Sequence, residues 1–157
     1  MKAADTAKLV FCLFACFSAG LFGSIFTHDL SGWYQNLNKP AFNPPDWVFA
    51  PVWTTLYILM ALSAFLIWKR GLKNRPVKIA LGFFIAQLVL NVLWTPLFFG
   101  LKSPFIALVE IVILWIIILL TIIKFTKLSM LAAIMLVPYI LWTSYAAVLN
   151  AAIYLSN

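Results

Sequence analysis

Residues 33–57 read WYQNLNKPAFNPPDWVFAPVWTTLY. The stretch holds Trp33, Trp47, Trp53, Tyr34, Tyr57, four prolines and one of the chain's few acids, Asp46. Aromatic rings offer large contact area for few rotatable bonds, and prolines remove backbone freedom before folding begins. Such a segment predicts an ordered lid rather than a spacer. What it covers is set by the long apolar runs on either side.

Of 157 residues, 65% are hydrophobic and only 10% charged, and the mean hydropathy is +1.05. A soluble domain carries roughly a quarter of its residues charged. This chain cannot cover a water-facing surface, so lipid is its solvent. The length suits a single integral membrane domain over residues 1–157. The net charge of +7 does not point to nucleic acid, because the bases sit between apolar runs rather than in one solvated patch. Cys12 and Cys16, the two cysteines, lie one helical turn apart inside the first run and read as small buried thiols. No spacing points to a metal site.

Five apolar spans cover residues 9–26, 48–68, 79–99, 104–123 and 128–155. Each is close to or above the ~20 residues a helix needs to cross a bilayer. The alternation expected of a strand-built barrel is absent. The expected fold is an all-α bundle of five transmembrane helices, with the loop between the first two capping a pocket. The first run is too long for a signal peptide and no small-residue cleavage site follows it. Lys2 and Lys8 precede the first span, five bases between 69 and 78 fill the second loop, and Lys124 and Lys127 the fourth. Lys39 and Lys102 fall on the other side. The positive-inside bias then puts the N-terminus in the cytoplasm and the C-terminus and the lid outside.

Side chains within the spans carry more detail. Ala15, Ala19 and Gly23 recur every four residues, a stripe that lets helices approach closely within the bundle or between two protomers. Asp46 is placed to cap a short turn, and Pro51 suits the first turn of the second helix. Gln87, Asn91 and Thr95 form a polar stripe beside Trp94 and Phe98. Amides in hydrocarbon face either a cavity or bonding partners on neighbouring helices. Glu110 is the one acid inside a span; it is a candidate proton or cation group, or a carboxyl reaching a polar neighbour. Pro138 predicts a bend in the fifth span, after which Trp142, Ala146 and Asn150 recur at four-residue intervals.

With the N-terminus inside, Asn91, Trp94 and Phe98 fall in the outer half of the third helix and Trp53 opens the second. Asn150 lies near the outer end of the fifth, with Trp142 about 12 Å deeper. Aromatic and amide residues of three helices thus gather beneath the lid. That is the usual make-up of a small-molecule site.

The motifs themselves resemble a known family. WYxxLxKP at 33–40, PPxW at 44–47, PVWxxLY at 51–57, QLxLNxxW at 87–94, FFG at 98–100 and PYxxW at 138–142 leading to Leu149-Asn150 are similar to those of the TspO/translocator proteins. These are also called tryptophan-rich sensory proteins or peripheral-type benzodiazepine receptors. The likeness spans essentially the whole chain, and its short length resembles a bacterial member.

The resemblance implies a five-helix protein of the bacterial cell membrane, a homodimer that binds protoporphyrin IX or haem. Benzodiazepine-receptor ligands would share the pocket, and some bacterial members promote light- and oxygen-dependent porphyrin breakdown. Carried to matching positions, it implies a ligand site of Tyr34, Trp47, Trp53, Gln87, Asn91, Trp142, Ala146 and Asn150, to which the stripe on the third helix adds Trp94. Partners would be tetrapyrroles, other lipophilic small molecules and membrane lipid, with no required cofactor. The animal sterol motif needs a base after its tyrosine; here Leu155, Ser156 and Asn157 follow Tyr154, so sterol binding is not carried over.

A porphyrin needs flat faces and a polar rim. Trp53 and Trp142 would supply the faces and act as redox partners of the excited ring, the only catalytic roles the residues suggest. His28 lies at the end of the first helix, away from the pocket, so no haem ligand is assigned. A binding-only sensor and a transporter using Glu110 remain the alternatives. The paired broken helices usual in secondary transporters are not legible.

Overall fold

The computed structural model describes residues 3–27 and 32–157; the expectations for Lys2 and His28 lie outside them. Every long element in it is helical, and five segments are long and apolar enough to cross a membrane. Helix α1 (Ala3–Ile25) starts earlier than its apolar run. Asp5 in its first turn complements the positive helix end and meets both Lys8 (3.7 Å) and Lys69 (3.9 Å). Helix α2 (Phe49–Trp68) follows a 3₁₀ turn, Asp46–Val48, and Pro51 lies in its first turn as expected. Asp46 sits inside that 3₁₀ turn and makes no capping bond, so the expected cap is not formed.

Helix α3 (Arg75–Thr95) runs into a π-turn at Pro96–Gly100. Pro96 has no N–H to give the preceding turn, and the ladder resumes one residue wider, with Leu101 N–H on the Pro96 carbonyl at 2.9 Å. The widened turn ends in Phe98 and Phe99, which meet the lid. Helix α4 (Pro104–Thr126) is capped by Ser103, whose hydroxyl accepts from the Ile106 N–H at 3.4 Å.

The fifth span is two helices, α5 (Met130–Met135) and α6 (Val137–Ser156), instead of one bent helix. A proline ring disturbs the carbonyl four residues upstream more than its own position. The chain therefore breaks at Leu136, and Pro138 falls in the first turn of α6, where a missing N–H costs nothing. Leu136 N–H shifts to the Ala133 carbonyl (3.0 Å), and the Ala132 carbonyl accepts from Ser63 Oγ of α2 at 2.7 Å.

The small-residue stripe of α1 belongs inside this bundle. Ala19 and Gly23 are buried, and Gly23 faces Thr95 of α3. Gly20 lies so close to the Tyr57 ring that a Cβ there would stand 2.5 Å from Tyr57 Cε2. Phe11, Phe14, Leu21 and Ile25 point outward, as lipid-facing residues should.

Above the bundle the lid is ordered. Tyr34 is buried against Phe98 and Phe99, and the Lys39 ammonium lies 4.1 Å over its ring. Two clasps join the lid to α6. Tyr145 Oη donates to the Phe42 carbonyl at 2.7 Å, and Asn38 exchanges bonds with Asn157 and the Ser156 carbonyl at 2.9–3.2 Å.

Candidate functional site

Beneath the lid lies a cavity of about 420 Å³, in the range of small-molecule sites. Trp53 and Phe49 of α2, Asn91 and Trp94 of α3, and Trp142, Ala146 and Asn150 of α6 line it. Tyr34 and Asp46 close it from the lid. Of the nine residues expected at the site, Trp47 and Gln87 stand outside. Trp47 is 74% exposed on the 3₁₀ turn, because the turn points its indole away from the bundle. Gln87 is buried two turns below Trp94, and neither of its amide atoms has a partner.

Trp53 is held by two tyrosines. Its ring stacks on Tyr57 (centroids 5.4 Å, planes 27° apart) and meets Tyr139 edge-on at 6.4 Å. Those tyrosines are tied through Asn91: Tyr57 Oη donates to Asn91 Oδ1 at 3.0 Å, and Asn91 Nδ2 donates to Tyr139 Oη at 3.1 Å. Both ends of the Asn91 amide are thus engaged within the protein. The sequence left open whether this amide faces a cavity or bonds neighbours, and it does both. Trp142 stands edge-on to Phe49 at 5.9 Å, a contact that ties the start of α2 to α6.

The cavity's unengaged polar atoms are elsewhere. Trp94 stacks on Phe98 (5.1 Å, 18°) with its Nε1–H unpaired, and neither amide atom of Asn150 has a partner. At the mouth, Tyr34 Oη donates a long bond of 3.4 Å to Asn43 Oδ1. Burial, and after it the charge of Asp46, holds the Tyr34 phenol above its ordinary titration range, so it remains a donor at neutral pH.

Sequence reasoning missed the wall formed by α1. Gly20, Gly23 and Ser24 of α1, and Thr27 in the turn that follows it, border the cavity. Small residues at three- and four-residue spacing signal close packing, and the same absence of side chain also leaves room for a ligand. Asp46 was read as a cap and is a mouth residue.

Comparison with known proteins finds similarity along nearly the whole chain. The TspO/MBR family profile matches residues 11–155. The chain is 43% identical over 143 residues to the tryptophan-rich protein TspO of Chlorobaculum tepidum, covering 90% of each chain. It is 39% identical to the tryptophan-rich sensory protein of Cereibacter sphaeroides, across 93% of this chain and 89% of the relative. Against the translocator protein of Homo sapiens the identity is 38%, over 89% and 85% respectively.

Proposed function

Since the chain belongs to the TspO/MBR family of integral membrane proteins, we propose that it binds protoporphyrin IX or haem in the cavity under the lid and promotes light- and oxygen-dependent breakdown of the porphyrin. One observation carries the reading. The apolar cavity is walled by Trp53 and Trp142 on different helices and roofed by an aromatic lid. A flat macrocycle takes up such a space by ring contact, and each indole adds stacking worth about 1 kcal/mol beyond area burial. Lys39, above Tyr34 on the lid, suits a propionate at the rim.

The chemistry proposed needs no nucleophile or base. Light excites the bound ring, which transfers energy to oxygen or takes an electron from a neighbouring indole. Trp53 and Trp142, which both line the cavity, would be the indoles involved, and the cavity walls would keep the products near the ring. Benzodiazepine-receptor ligands would occupy the same volume. The working unit in the cell membrane is a homodimer of this single domain, with the basic bundle end in the cytoplasm and the lid outside.

The test is a titration of purified protein with protoporphyrin IX in the dark, followed by its absorbance under light. Wild type should bind and yield a product. A Trp53→Phe, Trp142→Phe variant should bind and lose the product. Binding without any protein-specific product in wild type would make the protein a sensor instead.

A further inference from the structure

Three indoles line the cavity, those of Trp53, Trp94 and Trp142, and they differ in what stands behind them. Trp53 is backed by Tyr57 and Tyr139, and Trp142 has Tyr145 beside it at 5.5 Å between ring centroids. Trp94 instead leads through one ring to another indole. It stacks on Phe98 at 5.1 Å with planes 18° apart, and Phe98 meets Trp33 of the lid edge-on at 5.6 Å. Phe98 is buried, whereas Trp33 is partly exposed and does not line the cavity. An unbroken path of rings thus joins the cavity wall to the surface of the lid.

An indole that loses an electron becomes a cation. At Trp94 that charge is costly to hold, because the Nε1–H is buried with no acceptor to take its proton. At Trp33 water reaches the ring, hydrates the charge and accepts the proton. The electron hole therefore runs outward, and Phe98, too hard to oxidise to hold it, serves as the bridge. The tyrosines behind the other two indoles are poor exits. A phenol gives up an electron readily only as its proton leaves to a base. Tyr57 donates to the Asn91 amide oxygen and Tyr145 to the Phe42 carbonyl, both weak bases, and the bond Tyr139 makes is as an acceptor from Asn91. We propose that Trp94, Phe98 and Trp33 form a relay that carries oxidising equivalents from a photoexcited porphyrin in the cavity to the surface of the lid. The inference rests on the cavity holding such a ring. The excited ring takes one electron from Trp94 and passes it to oxygen, giving superoxide. Oxidised Trp94 takes one electron from Trp33, whose indole proton leaves to water, so a neutral radical ends at position 33. Trp94 is restored, and the wall survives the turnover.

The test locates the radical. Protoporphyrin IX is bound in the dark to the protein in lipid nanodiscs, then illuminated under argon with chloropentaamminecobalt(III) as the electron acceptor, so that no singlet oxygen forms. A nitroso spin trap marks the radical, and peptide mass spectrometry finds the adduct. Wild type should carry it at Trp33. Trp94→Phe protein, with its binding of the ring checked by dark titration, should lose it. Trp47, 74% exposed and outside the cavity, reports attack by free porphyrin and should be marked equally in both. A second variant, Trp33→Phe, keeps an aromatic ring against Phe98 and removes the end of the relay. Without the cobalt acceptor, its porphyrin radical anion should decay faster than that of wild type in transient absorption, because the hole stays within reach of recombination. A Trp33 adduct that survives in Trp94→Phe, wild-type adducts confined to Trp53 or Trp142, or equal radical-anion lifetimes in wild type and Trp33→Phe would each overturn the relay. Should Trp94→Phe not take up the ring, the Trp33→Phe lifetime decides. If protoporphyrin IX does not bind wild type in the dark, the reading of the cavity itself falls, and the relay with it.

Discussion

Replacing Gly20 by alanine tests how firmly the cavity wall is held. The added Cβ would lie 2.5 Å from Tyr57 Cε2 and 3.1 Å from its Cδ2 and Cζ. To reach ordinary contact at 3.4 Å the ring must retreat by about 0.9 Å, against two restraints. Trp53 stacks on one side of it, and Asn91 holds its hydroxyl at 3.0 Å. A retreat of that size carries the hydroxyl toward the limit of bonding geometry. Overpacking of this kind costs about 1–3 kcal/mol. Most of it should appear as lower thermal stability in detergent. The displaced Trp53 should also weaken protoporphyrin IX binding roughly tenfold, equivalent to about 1.4 kcal/mol. Gly82→Ala is the control, because a Cβ on this exposed face of α3 meets nothing within 4 Å. Both proteins would be melted and titrated side by side. If Gly20→Ala matches Gly82→Ala in melting temperature and affinity, the Tyr57–Trp53 wall is not rigid and the reasoning fails.

Four further outcomes are expected. Tyr139→Phe should cost about 1–3 kcal/mol by leaving a buried Asn91 N–H unpaired, read by thermal melting with the fold checked by circular dichroism. Ser63→Ala, which deprives the Ala132 carbonyl of its partner, should cost about 1–2 kcal/mol and speed amide exchange around the Leu136 break. Gln87→Leu should raise stability by about 1 kcal/mol, since it removes an unpaired buried amide, and should leave ligand affinity unchanged in the same dark titration. Tyr145→Phe opens one lid clasp and should raise the ligand dissociation rate about fivefold in stopped-flow fluorescence.

Much of this architecture is legible in the sequence because lipid imposes a simple rule: a span must be long, apolar and helical. The lid is legible for a related reason, since proline and aromatic residues restrict a loop whatever it contacts. What fails is direction. The PPxW motif does not say which way Trp47 points, because a 3₁₀ turn has no long periodicity to assign a face. Asn91 was recognisable as a polar group needing partners, yet its partners Tyr57 and Tyr139 lie 34 and 48 residues away. The break at Leu136 instead of Pro138 follows from proline sterics but is hidden when the run is read as one span. The α1 wall was invisible because a missing side chain looks the same whether helix or ligand fills the space.

The Tyr57–Asn91–Tyr139 network also constrains how the protein is made. Its three members sit on α2, α3 and α6, so the Asn91 amide cannot find both phenols until the last span has been inserted and docked. Until then Tyr57 can engage the amide oxygen, but the Asn91 Nδ2–H₂ has no phenol to donate to and stays unpaired in hydrocarbon. Docking of the last span satisfies that N–H and brings Tyr139 against Trp53 together, so the stability of the bundle and the shape of the cavity are coupled through one side chain.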